Sequence, residues 1–369
     1  MQNIAIIGAG PGGLRLSAHL GLAGQRIRLN DIDDSKLAPL RASGGVNVLR
    51  LDGTPWGFAR VERATTNLRE TLEGAEIIIV VSGGNTHPGV ARALAPLLRD
   101  GQLVLLIQGN TGGTLVVRRE LDALGCRADV TLAEMDCYPH AMRRPEPLTF
   151  RRTTDKRWLQ IAAFPAARTA EALDRLKPLF PQIVAAPDVL HTGLTNMNAV
   201  LHVANCISNA ARIESGGGYK FYGEGVTRAV ANLYEAVDQD RLAVARALGV
   251  GVLGLADWFE RVYGVREATL AETIGRLSYD DDGAYVANRA AGTLDHKYVT
   301  EDVPTGLVPI AALGAAAGVR TPAIDAVVRI AQYQLGRSFD AEARTLERLG
   351  LAGLDARGIV RVAREGFAR

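Results

Sequence analysis

Six residues near the start of the chain restrict its fold more than any other feature. Gly8-Ala9-Gly10-Pro11-Gly12-Gly13 comes directly after the apolar run Ile4-Ala5-Ile6-Ile7 and directly before an amphipathic stretch, Leu14 to Ala23. Gly8, Gly10 and Gly13 take the positions of a G-x-G-x-x-G turn. In a strand–turn–helix unit the first glycine permits the tight turn, the second lets backbone approach a pyrophosphate, and the third lets the helix pack closely on the strand. The helix N-terminus adds N–H groups without partners and the positive end of a dipole. The expectation is a dinucleotide cradle made by Gly8, Gly10, Gly12 and Gly13. The competing reading is a glycine-rich turn in some other α/β protein.

The residues that follow fit such a unit. Asp31 comes directly after the second strand, where an acidic side chain accepts from the adenosine ribose hydroxyls and repels a 2′-phosphate. This favours NAD, although Asp31 could instead cap a helix over Ser35–Leu40, and Arg28 nearby keeps NADP open. Strands are expected at Asn3–Ile7, Arg26–Asn30, Glu76–Val81, Leu103–Ile107 and Val130–Glu134, with helical stretches at Gly89–Leu98 and Leu115–Leu124 between them. That alternation predicts βαβ units and a parallel sheet, with Leu148–Arg151 and Trp158–Phe164 as antiparallel additions at its edge. Two more glycine turns, Ser82-Gly83-Gly84 and Gln108-Gly109-Asn110-Thr111-Gly112-Gly113, follow strands. Ser82 and Gly109 are expected to line the nicotinamide side of the cleft, where ligands bind in open parallel sheets. Plain turns are the alternative.

Strand signals stop near Pro187. Helical periodicity then covers Thr195–Arg212, Val226–Leu248, Leu307–Ala317 and Pro322–Leu335, while Ser278–Pro304 has no clean period. The expected fold is therefore an α/β N-terminal Rossmann domain over 1–187 plus an all-α C-terminal domain over 188–369, a length that suits two domains.

Composition narrows the partners. The 42 basic and 40 acidic residues are spread along the chain, so no charge block points to nucleic acid or a lipid surface. No apolar run reaches the roughly 18 residues of a membrane span. Cys126, Cys137 and Cys206 are three cysteines without C-x-x-C spacing, which suggests neither disulfides nor a metal site. A cytoplasmic protein acting on small molecules is expected. The oligomeric state is open, a homodimer included.

The chemical end lies in the second half. Between Thr195 and Asn209, helical spacing puts Asn198, His202, Asn205 and Asn209 along one face, with Val200, Leu201, Val203 and Ile207 on the others. A buried polar stripe must face partners or a ligand. Histidine suits proton transfer at neutral pH. The competing reading makes His202 a satisfied core histidine and the asparagines packing groups. A carboxylate from Glu301-Asp302-Val303-Pro304 could orient His202, or Asp302 could cap the helix after Pro304.

The glycine fingerprint, Leu190-His191-Thr192-Gly193-Leu194-Thr195-Asn196-Met197-Asn198-Ala199-Val200-Leu201-His202, Glu214-Ser215, and Glu301-Asp302-Val303-Pro304-Thr305-Gly306-Leu307-Val308-Pro309 together resemble the octopine/nopaline dehydrogenase family. The tail Arg344-Thr345-Leu346-Glu347-Arg348-Leu349-Gly350-Leu351 is similar to that of its bacterial N-(1-carboxyethyl)-norvaline dehydrogenases. The resemblance implies a cleft between the two domains and a catalytic pair carried by His202 and Asp302, with Asn198 contacting substrate. It implies NAD-dependent reductive amination of an α-keto acid, such as pyruvate, by an amino acid. Lys297 stands where members often have Arg; as a substrate contact it lacks the bidentate fork. Amino-acid selectivity is expected from Gly216–Tyr222 and Tyr279–Asn288. The rival reading is a 2-hydroxy-acid or ketopantoate-type reductase, which shares the domain plan but uses a helix lysine as acid, and no such lysine follows Asn198.

Overall fold

The structure, a computed structural model, describes residues 2–280 and 283–368. Its larger sheet has eight strands in the order β12-β11-β8-β7-β6-β1-β2-β5. These are β1 (Asn3–Ile7), β2 (Arg26–Asn30), β5 (Arg63–Thr65), β6 (Ile77–Val80), β7 (Leu103–Leu106), β8 (Thr131–Met135), β11 (Leu159–Phe164) and β12 (Ile183–Ala185). All neighbours are parallel except β11 on β8. Both faces are covered, so the central strands read as continuous apolar runs rather than alternating ones. Along β1, β6 and β7, Ile4, Ile6, Ile77, Ile79, Leu103 and Leu105 face one core. Ala5, Ile7, Ile78, Val80, Val104 and Leu106 face a second core under the helices His87–Leu94 and Gly113–Ala123.

Trp158–Phe164 is antiparallel as expected, with β11 beside β8, but the edge is β12, which pairs parallel to β11 on its outer side. The Leu148–Arg151 expectation is corrected. That segment belongs to β10 (Thr149–Asp155), which sits in a separate four-stranded sheet of order β4-β3-β10-β9 with β3 (Gly45–Leu49), β4 (Pro55–Arg60) and β9 (His140–Glu146). An Asp52-Gly53 turn joins β3 to β4, with Gly53 at φ +86 and Thr54 N–H donating to Asp52 Oδ1 at 2.9 Å. This small sheet packs against α1 (Pro11–Leu22), the helix that the glycine turn opens.

After Ala185, no further strand longer than an isolated bridge occurs among the described residues. The helix Met197–Ser208 runs through the centre of this half, packed by Arg228–Ala247, Pro322–Leu335, Lys297–Thr300 and the π-type turn Val303–Leu307. It ends at Asn209 instead of continuing to Arg212, because Asn209 Nδ2 donates back to the Asn205 carbonyl and across to the Gly225 carbonyl. Arg241, fully buried, pairs with Asp238 at 2.6 Å and donates to the Leu194 carbonyl at 2.6 Å, tying the start of the helical half to its longest helix. The chain's tail returns to the sheet. Helix Ala356–Glu365 packs on β11, and Phe367 meets Phe164 edge-on at 5.0 Å. No helix among the described residues is long and apolar enough to cross a membrane.

Candidate active site

At the carboxyl ends of the parallel strands the glycine turn takes the shape its sequence calls for. Gly8 sits at φ +108, which only glycine adopts without strain, and its N–H donates to the Asn30 carbonyl at 2.8 Å. A Cβ on Gly13 would lie 1.8 Å from the Gly8 carbonyl oxygen, so the third glycine is needed for helix–strand contact. A Cβ on Gly12 would press on Val81 at 2.9 Å. Gly10 differs, because nothing lies within 4 Å of its would-be Cβ. The fold has no use for a glycine there, whereas a ligand approaching the backbone would. No side chain caps α1, and no acidic residue occupies its first turn. The residues present therefore fit an anionic dinucleotide.

Asp31 is bound into this turn. Its Oδ2 accepts from Ala9 N–H at 2.7 Å, its Oδ1 accepts from Asp33 N–H at 3.0 Å, and Lys36 Nζ lies 3.3 Å from Oδ1. The helix cap is Asp33, which accepts from Ser35 N–H, so the capping alternative for Asp31 falls away. Arg28 is turned elsewhere, onto Glu62 at 3.0 Å and the Glu73 carbonyl, and the base beside Asp31 is Lys36.

The polar stripe divides into two parts. Asn205 and Asn209 hold the loop at Phe221 and Gly225, as packing groups do. Asn198 reaches the other half of the chain, and His202 meets the acidic segment. His202 Nδ1 lies 2.6 Å from Asp302 Oδ2, with both side chains nearly buried. Among the described residues Nε2 has no hydrogen-bond partner, which leaves it as the nitrogen able to exchange a proton with a ligand. Asn198 Nδ2 donates to Gln108 Oε1 at 3.0 Å, joining the helix to the turn after β7, and Gln108 Nε2 is buried without a partner. Tyr298 stacks on the His202 ring at 3.9 Å and 24°. Burial, and next the Asp302 charge, push its phenol up to about 12, so it stays neutral. Tyr222 stacks on Tyr285 at 4.3 Å beside the same ring, bringing together the two segments expected to set selectivity; residues 281–282 lie outside the described ones.

Two expectations change in detail. Lys297 is exposed at the first position of Lys297–Thr300, on the rim and not against His202, because its helix turns Tyr298 inward. Gly109 is buried, its N–H donating to Met135 and its carbonyl accepting from Arg344. A Cβ there would meet the Glu134 carboxyl at 2.6 Å, so this glycine answers to the carboxyl beneath it and does not present itself to the cleft. Ser82 stays at the mouth, half-buried, accepting from Thr86 Oγ1 at 2.8 Å. Gln108 and Tyr298 were passed over in the sequence although each adjoins a residue singled out there.

Comparison with known proteins agrees with this architecture. Residues 185–335 match the NAD/NADP octopine/nopaline dehydrogenase alpha-helical domain. An opine dehydrogenase of Arthrobacter sp. (strain 1C) is 36% identical over 358 residues, 97% of this chain and 98% of that protein. An octopine dehydrogenase of Pecten maximus is 24% identical, spanning 77% of this chain and 79% of that one. Among solved structures, octopine dehydrogenase with NADH and agmatine superposes at a TM-score of 0.79, with 19% identity, over 100% of this chain and 99% of that one. A ketopantoate reductase from Ralstonia eutropha JMP134 superposes at 0.60, with 19% identity, over 91% of this chain and 100% of that one. The fold alone is common to both neighbours, but the match along the whole sequence decides between them, and the chain belongs to the opine dehydrogenase family.

Proposed function

We propose that this protein joins an α-keto acid to the amino group of an amino acid by NADH-dependent reductive amination, and runs the reverse oxidation. The observation that carries the reading is the buried His202–Asp302 pair with its second ring nitrogen unpartnered, one helical turn from Asn198, whose amide reaches Gln108 in the half that holds the glycine cradle. Residues 1–187 are the cofactor-binding half and 188–369 the half that carries the catalytic pair. Solved neighbours hold NADH with agmatine, L-arginine or pyruvate, and a yersinopine dehydrogenase holds NADP+. Pyruvate and an L-amino acid are the substrate classes we assign.

His202 takes a proton from the amino acid's ammonium group, which frees the neutral amine and leaves an imidazolium. As the amine attacks the keto carbon, His202 gives that proton to the carbonyl oxygen and takes one from the attacking nitrogen, giving a carbinolamine beside an imidazolium. Protonated His202 then donates to the hydroxyl, the C–O bond breaks, water leaves and a protonated imine remains. Asp302 holds the Nδ1 proton throughout and stabilises the imidazolium between the two transfers. NADH, when bound, supplies the hydride that reduces the imine to the secondary amine. The backbone of Gly8, Gly10, Gly12 and Gly13 would hold its pyrophosphate and Asp31 its adenosine ribose, with Ser82 at the mouth. Gly109 acts from beneath, by letting Glu134 pack against the turn. Asn198 orients substrate through its amide, and Lys297 on the rim attracts the carboxylates.

A panel of amino acids with pyruvate and NADH, read by loss of NADH absorbance, tests the assignment. Turnover needing both substrates supports it, and oxidation of NADH by keto acid alone would return the hydroxy-acid reductase reading. Asp31 and Asp33 outnumber Lys36 around the ribose end, so NADH should exceed NADPH in kcat/KM.

A further inference from the structure

Behind the turns that follow β6 and β7 lies a hydrogen-bond network to which the proposed chemistry assigns no role. Glu301 immediately precedes Asp302, and its Oε1 accepts from the Gly84 backbone N–H at 2.9 Å and from Asn110 Nδ2 at 3.1 Å. Asn110 also donates to Thr305 Oγ1 at 2.8 Å, and Thr111 N–H donates to the Thr305 carbonyl at 3.0 Å. One carboxylate beside the catalytic pair thus ties the turn after β6 to the turn after β7.

Arg344, from the returning tail, closes the network from below. It is 3% exposed, its Nη1 donates to the Gly109 and Thr111 carbonyls and its Nη2 to the Gly84 carbonyl, all at 2.8 Å. Its own N–H donates to the Pro304 carbonyl at 2.9 Å. A planar guanidinium suits this task, because one rigid fork fixes several acceptors together. Burial lowers it to about 10, with Glu134 and Glu301 opposing, so it stays charged at neutral pH. Gly84 is glycine for the same reason, since a Cβ would lie 2.4 Å from Asn110 Nδ2 and 2.9 Å from Thr305 Oγ1.

We propose that Glu301 is a positioning residue that locks the two cofactor-side turns in register with Asp302, and through it with His202, while Arg344 holds the frame. The inference rests on the opine dehydrogenase reading. Asp302 cannot move relative to Gly84 without stretching the bonds that its neighbour makes. Both hydrogen-bond donors to Glu301 are neutral, so at the two turns it contributes an acceptor in the right place.

The test uses the full-length enzyme with E301A and E301Q beside the parent, measuring kcat, the NADH Kd by quenching of protein fluorescence, and Tm. E301A should lose about tenfold to a hundredfold in kcat, the scale of a small misplacement of reacting groups. Its NADH Kd should rise about threefold to tenfold, as expected for lost hydrogen bonds at the turns. E301Q, whose amide oxygen accepts both bonds, should come back to within about threefold of the parent on both measures. Parental kcat in E301A overturns the proposal, as does an E301Q that is as poor as E301A. A loss in E301A explained by a smaller folded fraction at the assay temperature overturns it too. An inactive parent would instead overturn the functional reading, and this inference with it.

Discussion

His202 is 7% exposed in a helix whose other faces are apolar, and an imidazole so placed serves either packing or chemistry. The two roles predict different variants. As a proton relay, His202→Ala should keep NADH binding and melting nearly unchanged while turnover falls by about 10²–10⁴. Asp302→Asn should act in the same direction, and the double variant should be little worse than the poorer single one, because the residues work as a unit. A packing histidine would instead lower Tm and spare the turnover of whatever stays folded. Folded His202→Ala protein turning over at the parental rate would end the relay reading. Asp136 poses a separate residue-scale question. Burial pushes its carboxyl up to about 6, against the charge of Lys156. The native chain therefore holds this proton more tightly than the unfolded chain does. Stability present below about pH 4 is lost as pH rises through about 6, and the ionised form above that costs on the order of 1–3 kcal/mol. Asp136→Asn should accordingly melt above the parent at pH 7.5 and lose that advantage at pH 4. Melting curves at the two pH values decide it, and an advantage of equal size at both would refute the assignment.

Among the elements, the glycine turn offers the sharpest contrast, because two glycines with different purposes sit three residues apart in the chain. Gly10→Ala puts a methyl into open space at ordinary backbone angles, so the protein should fold and bind NADH more weakly. Gly13→Ala drives a methyl to 1.8 Å from the Gly8 carbonyl and should cost folded yield. Soluble yield and NADH titration separate the two, and unchanged NADH affinity in Gly10→Ala would remove that residue from the cradle. Elements such as these were legible because their signals are local. β1, β6 and β7 are short apolar runs, β2 alternates polar with apolar residues, and the turn, strand and helix around Gly8 to Gly13 are contiguous. The small sheet was not legible. β4, Pro-Trp-Gly-Phe-Ala-Arg, is almost wholly exposed, and the Asp52-Gly53 turn before it was a local signal that could have found it. The polar stripe gave His202, and the acidic segment gave Asp302. The contacts of Gln108, Glu301 and Arg344 escaped because their partners lie 90, 217 and 235 residues away, and no sequence period encodes such contacts.

At the scale of the whole molecule, the expected division into two domains meets a core that does not divide. One contiguous cluster runs from Ile4 and Ile6 of β1, through Val200 and Leu201 of the central helix, to Ile359 and Ala363 near the C-terminus. The returning tail adds Arg344 under the cofactor-side turns and helix Ala356–Glu365 against β11. Domains that share only a narrow contact unfold separately, whereas a common core makes the loss of either half expose the other. Scanning calorimetry of the full chain should therefore show a single transition. NADH supplies the finer test, because on the proposed reading it binds the first half and yet should move the whole transition. At about 100 times its Kd, NADH stabilises the native state by about 2.7 kcal/mol, and in a cooperative chain that increment belongs to every part of it. Removing residues 338–369 takes away the tail that crosses between the halves. The shortened chain should then melt in two steps, of which NADH raises only the one that reports the sheet. Two resolved transitions in the intact protein, with NADH shifting one of them and leaving the other in place, would show that the tail and the continuous core do not couple the halves.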